Sequence, residues 1–379
     1  MATRILSAYI HFPFCDVKCA YCDFFSIAKR HYPTDFEDTY LNQIKQDLAK
    51  KIPLVQNGET LRTVFFGGGT PSKASGSFFS KSLALLKNSG IPIHRNLEIT
   101  AEGNPESLTY EKLCQMREAG VNRISIGIQS FQENVLKYLG RLYHPKQYKE
   151  VIQFARKAGF TNISADLIYG VPSQKWQQVQ DDLNRLIDEG VVHISAYALT
   201  KEAGTKLAMQ MDLGQKKSIS AYRQAFQQEK IEAYLIQNGF YRYEVSNYAK
   251  PGYDCMHNVA VWKGRKYIGL GVAAHSFLHN VRILNPKSLK QYAVRKFTTI
   301  PSQKEDYLIG ISRLAKPQSF QSLLKFFSKE EVHRLKDTLV SFCPEFIKVN
   351  SYFFQLTPKG LLFSDSILDR LANAISEIE

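Results

Sequence analysis

The sequence is short of the features that mark membrane-spanning and nucleic-acid-binding proteins. It has no uninterrupted apolar run near the roughly 20 residues that a helix needs to cross a bilayer. It has no run of five or more basic residues, although lysine and arginine outnumber the acids by 49 to 35 and the net charge is +14. We therefore expect most of this charge to lie on solvated surfaces, with nucleic acid disfavoured as a partner. The positive net charge is also compatible with peripheral contact with a membrane or with an anionic ligand.

Cysteine is also scarce, with six in 379 residues. Three of the six are crowded between residues 15 and 22, which is unlike the spaced pairs of a disulfide-rich secreted protein. Residues 1–6 run straight into a predicted strand and do not resemble a signal peptide. We expect a reducing, cytoplasmic location.

The three crowded cysteines are Cys15, Cys19 and Cys22, and they lie on the loop after a predicted strand at residues 7–12. Closely spaced thiolates can converge on zinc, copper(I) or an iron–sulfur cluster. Structural zinc and a fully protein-ligated [4Fe–4S] cluster both need four ligands. The loop offers no fourth cysteine or histidine, so three thiolates on a four-iron cluster would leave one iron open. A redox dithiol with a bystander and an incomplete zinc site are the alternatives.

Strands and helices alternate over the first 240 residues. Alternation of this kind predicts a parallel sheet with right-handed crossovers, and six strand–helix units favour a partial (β/α)6 barrel of the TIM type. In such a barrel the functional site lies at the carboxyl ends of the strands. The predicted strands are residues 7–12, 61–66, 97–102, 123–129, 162–168 and 193–199.

Conspicuous residues stand at the ends of these strands: Cys15, the glycine-rich run 67–70, Glu102, Gln129 and Asp166. They come from five different strands, so we expect them to converge on one mouth. The glycine run lacks the spacing of a P-loop or a dinucleotide fingerprint. Consecutive glycines do let a backbone edge approach a ligand closely.

The pattern changes after residue 240. Residues 241–286 read as a β-rich extension, and residues 287–379 as a smaller domain of helices with a hairpin at 346–356 and a last helix at 358–378. Helices with a hairpin indicate a winged-helix-like module, which binds DNA in some proteins and only packs in others. The sequence thus predicts an α/β fold with three parts, 1–240, 241–286 and 287–379.

The motifs together resemble a known family. Cys-x3-Cys-x2-Cys with an aromatic before the last cysteine is similar to the signature of radical S-adenosylmethionine (SAM) proteins. The strings at 9–15, 66–72, 122–131 and 166–172 resemble the oxygen-independent coproporphyrinogen III oxidase family and its heme-chaperone branch. The resemblance implies a [4Fe–4S] cluster on the three cysteines, with SAM on the open iron. It implies SAM contacts at Tyr9, Tyr21, Gly68, Gly69, Thr70, Glu102, Gln129, Arg141 and Asp166.

One position separates the two branches of that family. The oxidase has a further cysteine two residues after the third, where this chain has Phe24. This favours the heme-chaperone branch, which implies heme or a porphyrin as ligand, a heme-accepting protein, and an electron donor for the cluster. The branch also associates a His-Asn-x-x-Tyr-Trp motif with heme; here His257 and Trp262 are present, but Val261 replaces the tyrosine.

Two rival functions stay open at this point. The first is the radical oxidation of coproporphyrinogen III itself, which would make the chain an oxidoreductase, and Phe24 counts against it. The second is a radical SAM enzyme that modifies nucleic acid, which rests only on the net charge and the winged-helix-like module.

Overall fold

The computed structural model describes residues 4–29, 31–141, 145–294, 298–301 and 304–376. Short 3-10 turns lie at Ile52–Leu54 and Pro71–Lys73. The strands are β1 (Arg4–Phe12), β2 (Phe14–Cys15), β3 (Ile27–Ala28), β4 (Glu59–Gly68), β5 (Ile93–Gly103), β6 (Arg123–Gln129), β7 (Asn162–Tyr169), β8 (His193–Ala198), β9 (Tyr241–Arg242), β10 (Asn247–Ala249), β11 (Lys266–Leu270), β12 (His275–Leu278), β13 (Val281–Leu284), β14 (Thr298–Pro301), β15 (Gln318–Ser319), β16 (Ile347–Val349) and β17 (Phe353–Leu356). The helices are α1 (Phe36–Lys51), α2 (Gly76–Lys87), α3 (Tyr110–Glu118), α4 (Glu133–Leu139), α5 (Pro145–Lys157), α6 (Trp176–Asp188), α7 (Lys206–Asp212), α8 (Ala221–Gln237), α9 (Met256–Trp262), α10 (Leu289–Ala293), α11 (Lys304–Arg313), α12 (Phe320–Leu323), α13 (Lys329–Val340), α14 (Pro358–Leu362) and α15 (Ser364–Ser376).

One large mixed sheet organises the described residues. Its strand order is β14-β13-β12-β11-β1-β4-β5-β6-β7-β8-β10-β9. The six strands β1, β4, β5, β6, β7 and β8 run parallel as neighbours, and β11 adds a further parallel strand beside β1. The prediction of an α/β fold built on six parallel strand–helix units is confirmed.

The two faces of the parallel strands differ in chemistry because successive side chains point to opposite faces. On β1, Leu6, Ala8 and Ile10 belong to the main hydrophobic core. The alternate residues of the same strand include Ser7, Tyr9 and His11, which have polar groups. Helices cover the apolar face, so the polar face is the inner one, on which a site can form.

The sheet is extended beyond β1 by the chain after residue 265. Strand β11 pairs in parallel with β1, so the segment predicted as a β-rich extension continues the same sheet. A buried cation ties helix α1 to this region. Lys51 bonds the Gly269 carbonyl oxygen (2.7 Å) and pairs with Asp47 (2.8 Å), while Asn285 Nδ2 bonds the other oxygen of Asp47 (2.8 Å).

A second hydrophobic core lies mostly in the residues from 304 onward and includes Leu308, Leu335, Phe354 and Leu371, together with Phe277 of β12. The predicted hairpin is present as β16 and β17, and β15 completes a three-stranded sheet. The predicted last helix is instead two helices, α14 and α15, because the backbone of Phe363 leaves the helical region (φ −109°, ψ 22°). Among the described residues, no helix is long and apolar enough to span a bilayer.

Candidate cofactor site

A cavity of about 380 Å³ opens at the carboxyl ends of the parallel strands. The cysteine loop, residues 15–22, lines it after β1, and Tyr197 lines it at the end of β8. Since β1 and β8 are the first and last of the six parallel strands, the sheet must curve to bring both to one cavity. The predicted site residues that line the cavity are Cys15, Cys19, Cys22, Tyr21, Gly68, Gly69, Thr70, Glu102, Gln129, Arg141 and Asp166.

The cysteine loop is held in place by backbone hydrogen bonds. Its base is closed by β2 and β3, which pair in parallel, and by Ile27 N donating to Pro13 O (2.7 Å). Its middle is fixed by Ala20, whose N–H donates to Leu139 O (3.3 Å) and whose carbonyl accepts from Leu207 N (2.7 Å). The positions of the thiols are therefore set by secondary structure on three sides.

The thiols meet the cavity next to polar partners. Thr70 Oγ1 donates to Cys15 Sγ (3.3 Å), and Arg141 Nη1 lies 3.9 Å from Cys19 Sγ. Burial raises the pKa of Cys15, and it raises the pKa of Cys22 to about 11. Metal binding at these two thiols must therefore displace protons. Within the described residues, no group of three or more His, Cys, Asp or Glu side chains is placed to hold one metal ion.

The glycine turn after β4 comes close to the cysteine loop. Gly69 N donates to Phe12 O (2.7 Å), and a Cβ on Gly69 would lie 2.7 Å from Phe14 O. Gly68 has φ +107°, and a Cβ there would lie 2.5 Å from the His11 ring. Both positions thus require glycine, and the backbone edge of the turn faces the cavity.

Two carboxyl groups lie in the cavity wall, and both have raised pKa values. Burial, and then the nearby Asp166, raise the pKa of Glu102 to about 8, against a backbone hydrogen bond from Gly68. Burial also raises the pKa of Asp166, although Ser195 and Ser125 donate hydrogen bonds to it. The Ser125 Oγ to Asp166 Oδ1 distance is 3.2 Å. A cationic or hydroxyl-rich ligand in the cavity would add favourable partners for these carboxyls.

Arg141 provides the opposite charge in the same wall. Its Nη2 donates to Asn104 Oδ1 and to Gly127 O, both at 3.0 Å, and Glu106 lies 3.7 Å away. Asn104 in turn donates to Thr70 Oγ1 (3.2 Å), so it connects the arginine to the glycine turn. The sequence analysis missed Asn104. The signal was its place two residues after Glu102, just past the end of β5.

Gln129 and Tyr21 complete the predicted set in the wall. Gln129 has φ +64°, a left-handed conformation that is uncommon for a residue other than glycine. Such strain often occurs where a ligand site holds a residue in place. Ser125 and Tyr197 also line the cavity and were missed. Both lie on predicted strands, and the two-residue period places them on the inner face.

Tyr9 does not line the cavity in this structure. Its hydroxyl bonds His11 Nδ1 (3.1 Å), and its ring stacks on Phe65 with the centroids 6.2 Å apart. His11, which the sequence analysis also missed, bonds the Phe25 carbonyl oxygen through Nε2 (2.9 Å). Burial lowers the pKa of His11 to about 4, so the ring is neutral at pH 7. Tyr9 and His11 therefore hold the chain at Phe25, just after the cysteine loop.

Comparison with known proteins agrees with this geometry. A model of the Radical SAM superfamily matches residues 9–186. The heme chaperone HemW of Bacillus subtilis is 34% identical over 321 residues, which cover 82% of this chain and 84% of the relative. The heme chaperone HemW of Buchnera aphidicola (subspecies Schizaphis graminum) is 30% identical over 378 residues, with 96% and 97% covered. The chain belongs to the HemW family of radical SAM proteins.

The fold has a solved counterpart. Coproporphyrinogen III oxidase (HemN) from Escherichia coli, a radical SAM enzyme, superposes with a TM-score of 0.79 over 97% of this chain and 90% of that chain, at 23% identity. This likeness concerns the fold alone. The predicted membership of the radical SAM superfamily is confirmed, and it implies a [4Fe–4S] cluster and SAM.

The side chains of this HemW-family chain fit those two groups. Three thiols line a single cavity, and a site-differentiated cluster needs three such ligands. Glu102 and Asp166 suit an ammonium group and ribose hydroxyls, and Arg141 suits a carboxylate. A cluster bound there would supply an electron, and SAM would supply an adenosyl group.

His257, the histidine of the HemW-type motif, lies elsewhere. It is 6% exposed, in helix α9, with Nδ1 bonded to Thr63 Oγ1 (2.9 Å) and its ring 5.0 Å from that of Phe65. The N–H groups of Met256 and His257 both donate to Glu98, each at 3.0 Å. Burial lowers the pKa of His257 to about 3. The imidazole is thus a neutral interior group in this structure.

His257 is one of several polar residues on the inner face of the strands, nearer their amino ends. His193 Nδ1 bonds Ser164 Oγ (2.7 Å), and its Nε2 bonds Tyr243 OH (2.8 Å). Arg123 is 2% exposed; burial opposes its charge, but nearby groups that include Glu98 raise its pKa above the usual value. The polar residues in this part of the interior are Thr63, Glu98, Arg123, Ser164, His193 and His257.

Proposed function

We propose that this chain is a heme chaperone that holds a [4Fe–4S] cluster on Cys15, Cys19 and Cys22, binds SAM beside it, and passes heme to an acceptor protein. The observation that carries the proposal is the convergence of the three thiols with Glu102, Asp166 and Arg141 on one cavity. The names of the relatives in the HemW family support the heme part.

The SAM part of the proposal assigns a role to each side of the cavity. The backbone edge of Gly68 and Gly69 would contact the amino acid part of SAM, and Arg141 would pair with its carboxylate. Glu102 and Asp166 would take the remaining polar groups. An electron donor and a cytoplasmic setting belong to the same proposal.

The rival function is the oxidation of coproporphyrinogen III. The shared fold with HemN is compatible with it. Phe24, which lines the cavity where the oxidase family has a cysteine, disfavours it. We therefore propose that the reconstituted protein binds heme and does not decarboxylate coproporphyrinogen III.

Heme ligation by His257 is a separate prediction from the family motif. To reach a heme, the imidazole would have to leave Thr63, and α9 would have to give up its two hydrogen bonds to Glu98. Heme ligation by His257 thus requires a rearrangement of α9.

The test is anaerobic reconstitution with iron and sulfide, followed by separate assays of heme binding and of coproporphyrinogen decarboxylation. Wild-type protein should gain the iron–sulfur absorption and bind ferric heme. Cys19→Ala should lose the cluster, while Cys114→Ala, outside the cavity, should keep it. A full cluster in Cys19→Ala, or robust decarboxylation by the wild type, contradicts the proposal.

A further inference from the structure

We propose that the rim of the cavity, formed by Val17, Phe24 and Tyr197, is the surface on which the apolar face of the heme macrocycle docks, with Lys18 pairing a propionate. This inference rests on the proposed heme-chaperone function and specifies where the heme sits. It places the heme at the cavity mouth and away from His257, which lies in the interior.

Large apolar side chains are exposed at this mouth. Phe24 is 63% exposed, Val17 is 47% exposed and Tyr197 is 42% exposed, and all three line the same cavity. Burial of these side chains by an apolar ligand would be favourable, so they are the candidate contacts for such a ligand at this cavity.

The rim is also held in position, so a ligand need not order it. Lys18 Nζ donates to the Phe24 carbonyl oxygen (3.3 Å), and the neutral His11 bonds the next carbonyl, that of Phe25 (2.9 Å). Tyr197 is fixed by the ladder between β7 and β8, where it pairs with Ile168. A surface organised before binding loses little conformational entropy when a ligand arrives.

The cavity therefore combines two chemistries. Its wall near the strand ends has Glu102, Asp166 and Arg141, which suit the polar groups of SAM. Its rim is apolar and aromatic, which suits a flat conjugated ring. The macrocycle of heme is apolar and planar, so it can pack on these side chains.

At the cavity mouth, one positive charge is available to pair with the carboxylates of such a ligand. Lys18 is the exposed cation among the described residues that line the cavity. Asp23 and Glu202 line it as well, and they would repel a carboxylate. We therefore expect the propionate edge of the macrocycle to lie at Lys18 and not at those two acids.

The test is a titration of ferric heme into the full-length, cluster-loaded protein, followed by its absorption band. Phe24→Ala should weaken heme binding about tenfold, which equals about 1.4 kcal/mol. Phe24→Trp should retain wild-type affinity because it keeps a flat ring at the rim. Phe363→Ala, which removes a 46% exposed ring in the C-terminal part, is the matched control and should change nothing. Iron content and SAM affinity should be equal in all four proteins.

Lys18 is tested with two probes, ferric heme and its dimethyl ester. Lys18→Gln, which removes the charge but keeps a donor for the Phe24 carbonyl oxygen, should weaken binding of heme several-fold and leave binding of the ester unchanged. If the wild type binds heme but neither Phe24→Ala nor Lys18→Gln weakens it, the rim assignment is wrong and the proposed function stands. If the wild type binds no heme, the heme-chaperone proposal fails and the rim assignment fails with it.

Discussion

Glu98 and Glu102 lie on the same strand, β5, and on the same face of it, but their surroundings differ. Glu98 accepts hydrogen bonds from two backbone N–H groups of α9. Glu102, roughly 13 Å further along the strand, accepts one from Gly68 and faces a cavity, and burial with Asp166 raises its pKa to about 8. Glu98 thus has its hydrogen-bond partners within the protein, whereas Glu102 faces the cavity with one such partner, which fits an acid that contacts a ligand.

At pH 7.5, the two acids should differ most in what they contribute to the free energy of unfolding. Glu98→Ala should lower the free energy of unfolding by about 3 kcal/mol or more, because two hydrogen bonds to a carboxylate are lost and Arg123 keeps its charge with less compensation. Glu102→Ala should be neutral or slightly stabilising. Urea unfolding of both variants at pH 7.5 measures the difference, and equal losses would show that the two acids have one role.

The next effect concerns SAM. Glu102→Ala and Asp166→Ala should each weaken SAM binding at least tenfold, about 1.4 kcal/mol, with iron content unchanged. Glu98→Gln, which keeps an acceptor for α9, should bind SAM like the wild type. Calorimetric titration of the reconstituted proteins gives these affinities. If neither cavity variant loses affinity, these acids are structural after all.

The raised pKa of Glu102 predicts a dependence of stability on pH. A carboxyl whose folded-state pKa (about 8) exceeds its unfolded value contributes stability that is fully present below about pH 4.5 and is lost as the pH rises towards 8. Over that window this group alone should raise the unfolding equilibrium constant about tenfold per pH unit. The wild type should show this loss relative to Glu102→Gln. If the stabilities of the two proteins change with pH in the same way, the pKa of Glu102 is not raised in the folded state.

A pH effect of the opposite sign is expected at His257. Its folded-state pKa of about 3 lies below the ordinary value, so its contribution to stability is present above about pH 6.5 and is lost as the pH falls towards 3. His257→Gln should therefore be less sensitive to acid than the wild type. The same variant bears on the heme motif: an altered heme absorption band would support ligation by His257, and an unaltered band would favour the rim.

The parts of the cavity that short stretches of sequence encode could be predicted. The cysteine spacing, the glycine turn and the strand-end acids are local patterns, and the two-residue period of a strand fixes which face each acid occupies. Parallel strands then bring their ends to one edge without further information.

Other contacts could not be predicted because they depend on distances between segments far apart in sequence. His11 reaches Phe25, and Asn104 bridges Arg141 and Thr70, only once the loops have folded over the strands. His257 is the clearest case. Its motif suggested a ligand, but α9 inserts against β4 and β5 and buries the ring on Thr63.

The pairing of β11 with β1 has a consequence for the order of events during synthesis. Strand β1, which leads into the cysteine loop, has an open edge until residues 266–270 have been made. Residue 266 lies 244 positions after Cys22. At roughly 5–20 residues per second, a ribosome takes about 12–50 seconds to make that stretch. Lys51 likewise waits for Gly269 and Asn285. The three thiols therefore leave the ribosome well before the scaffold that positions them is complete.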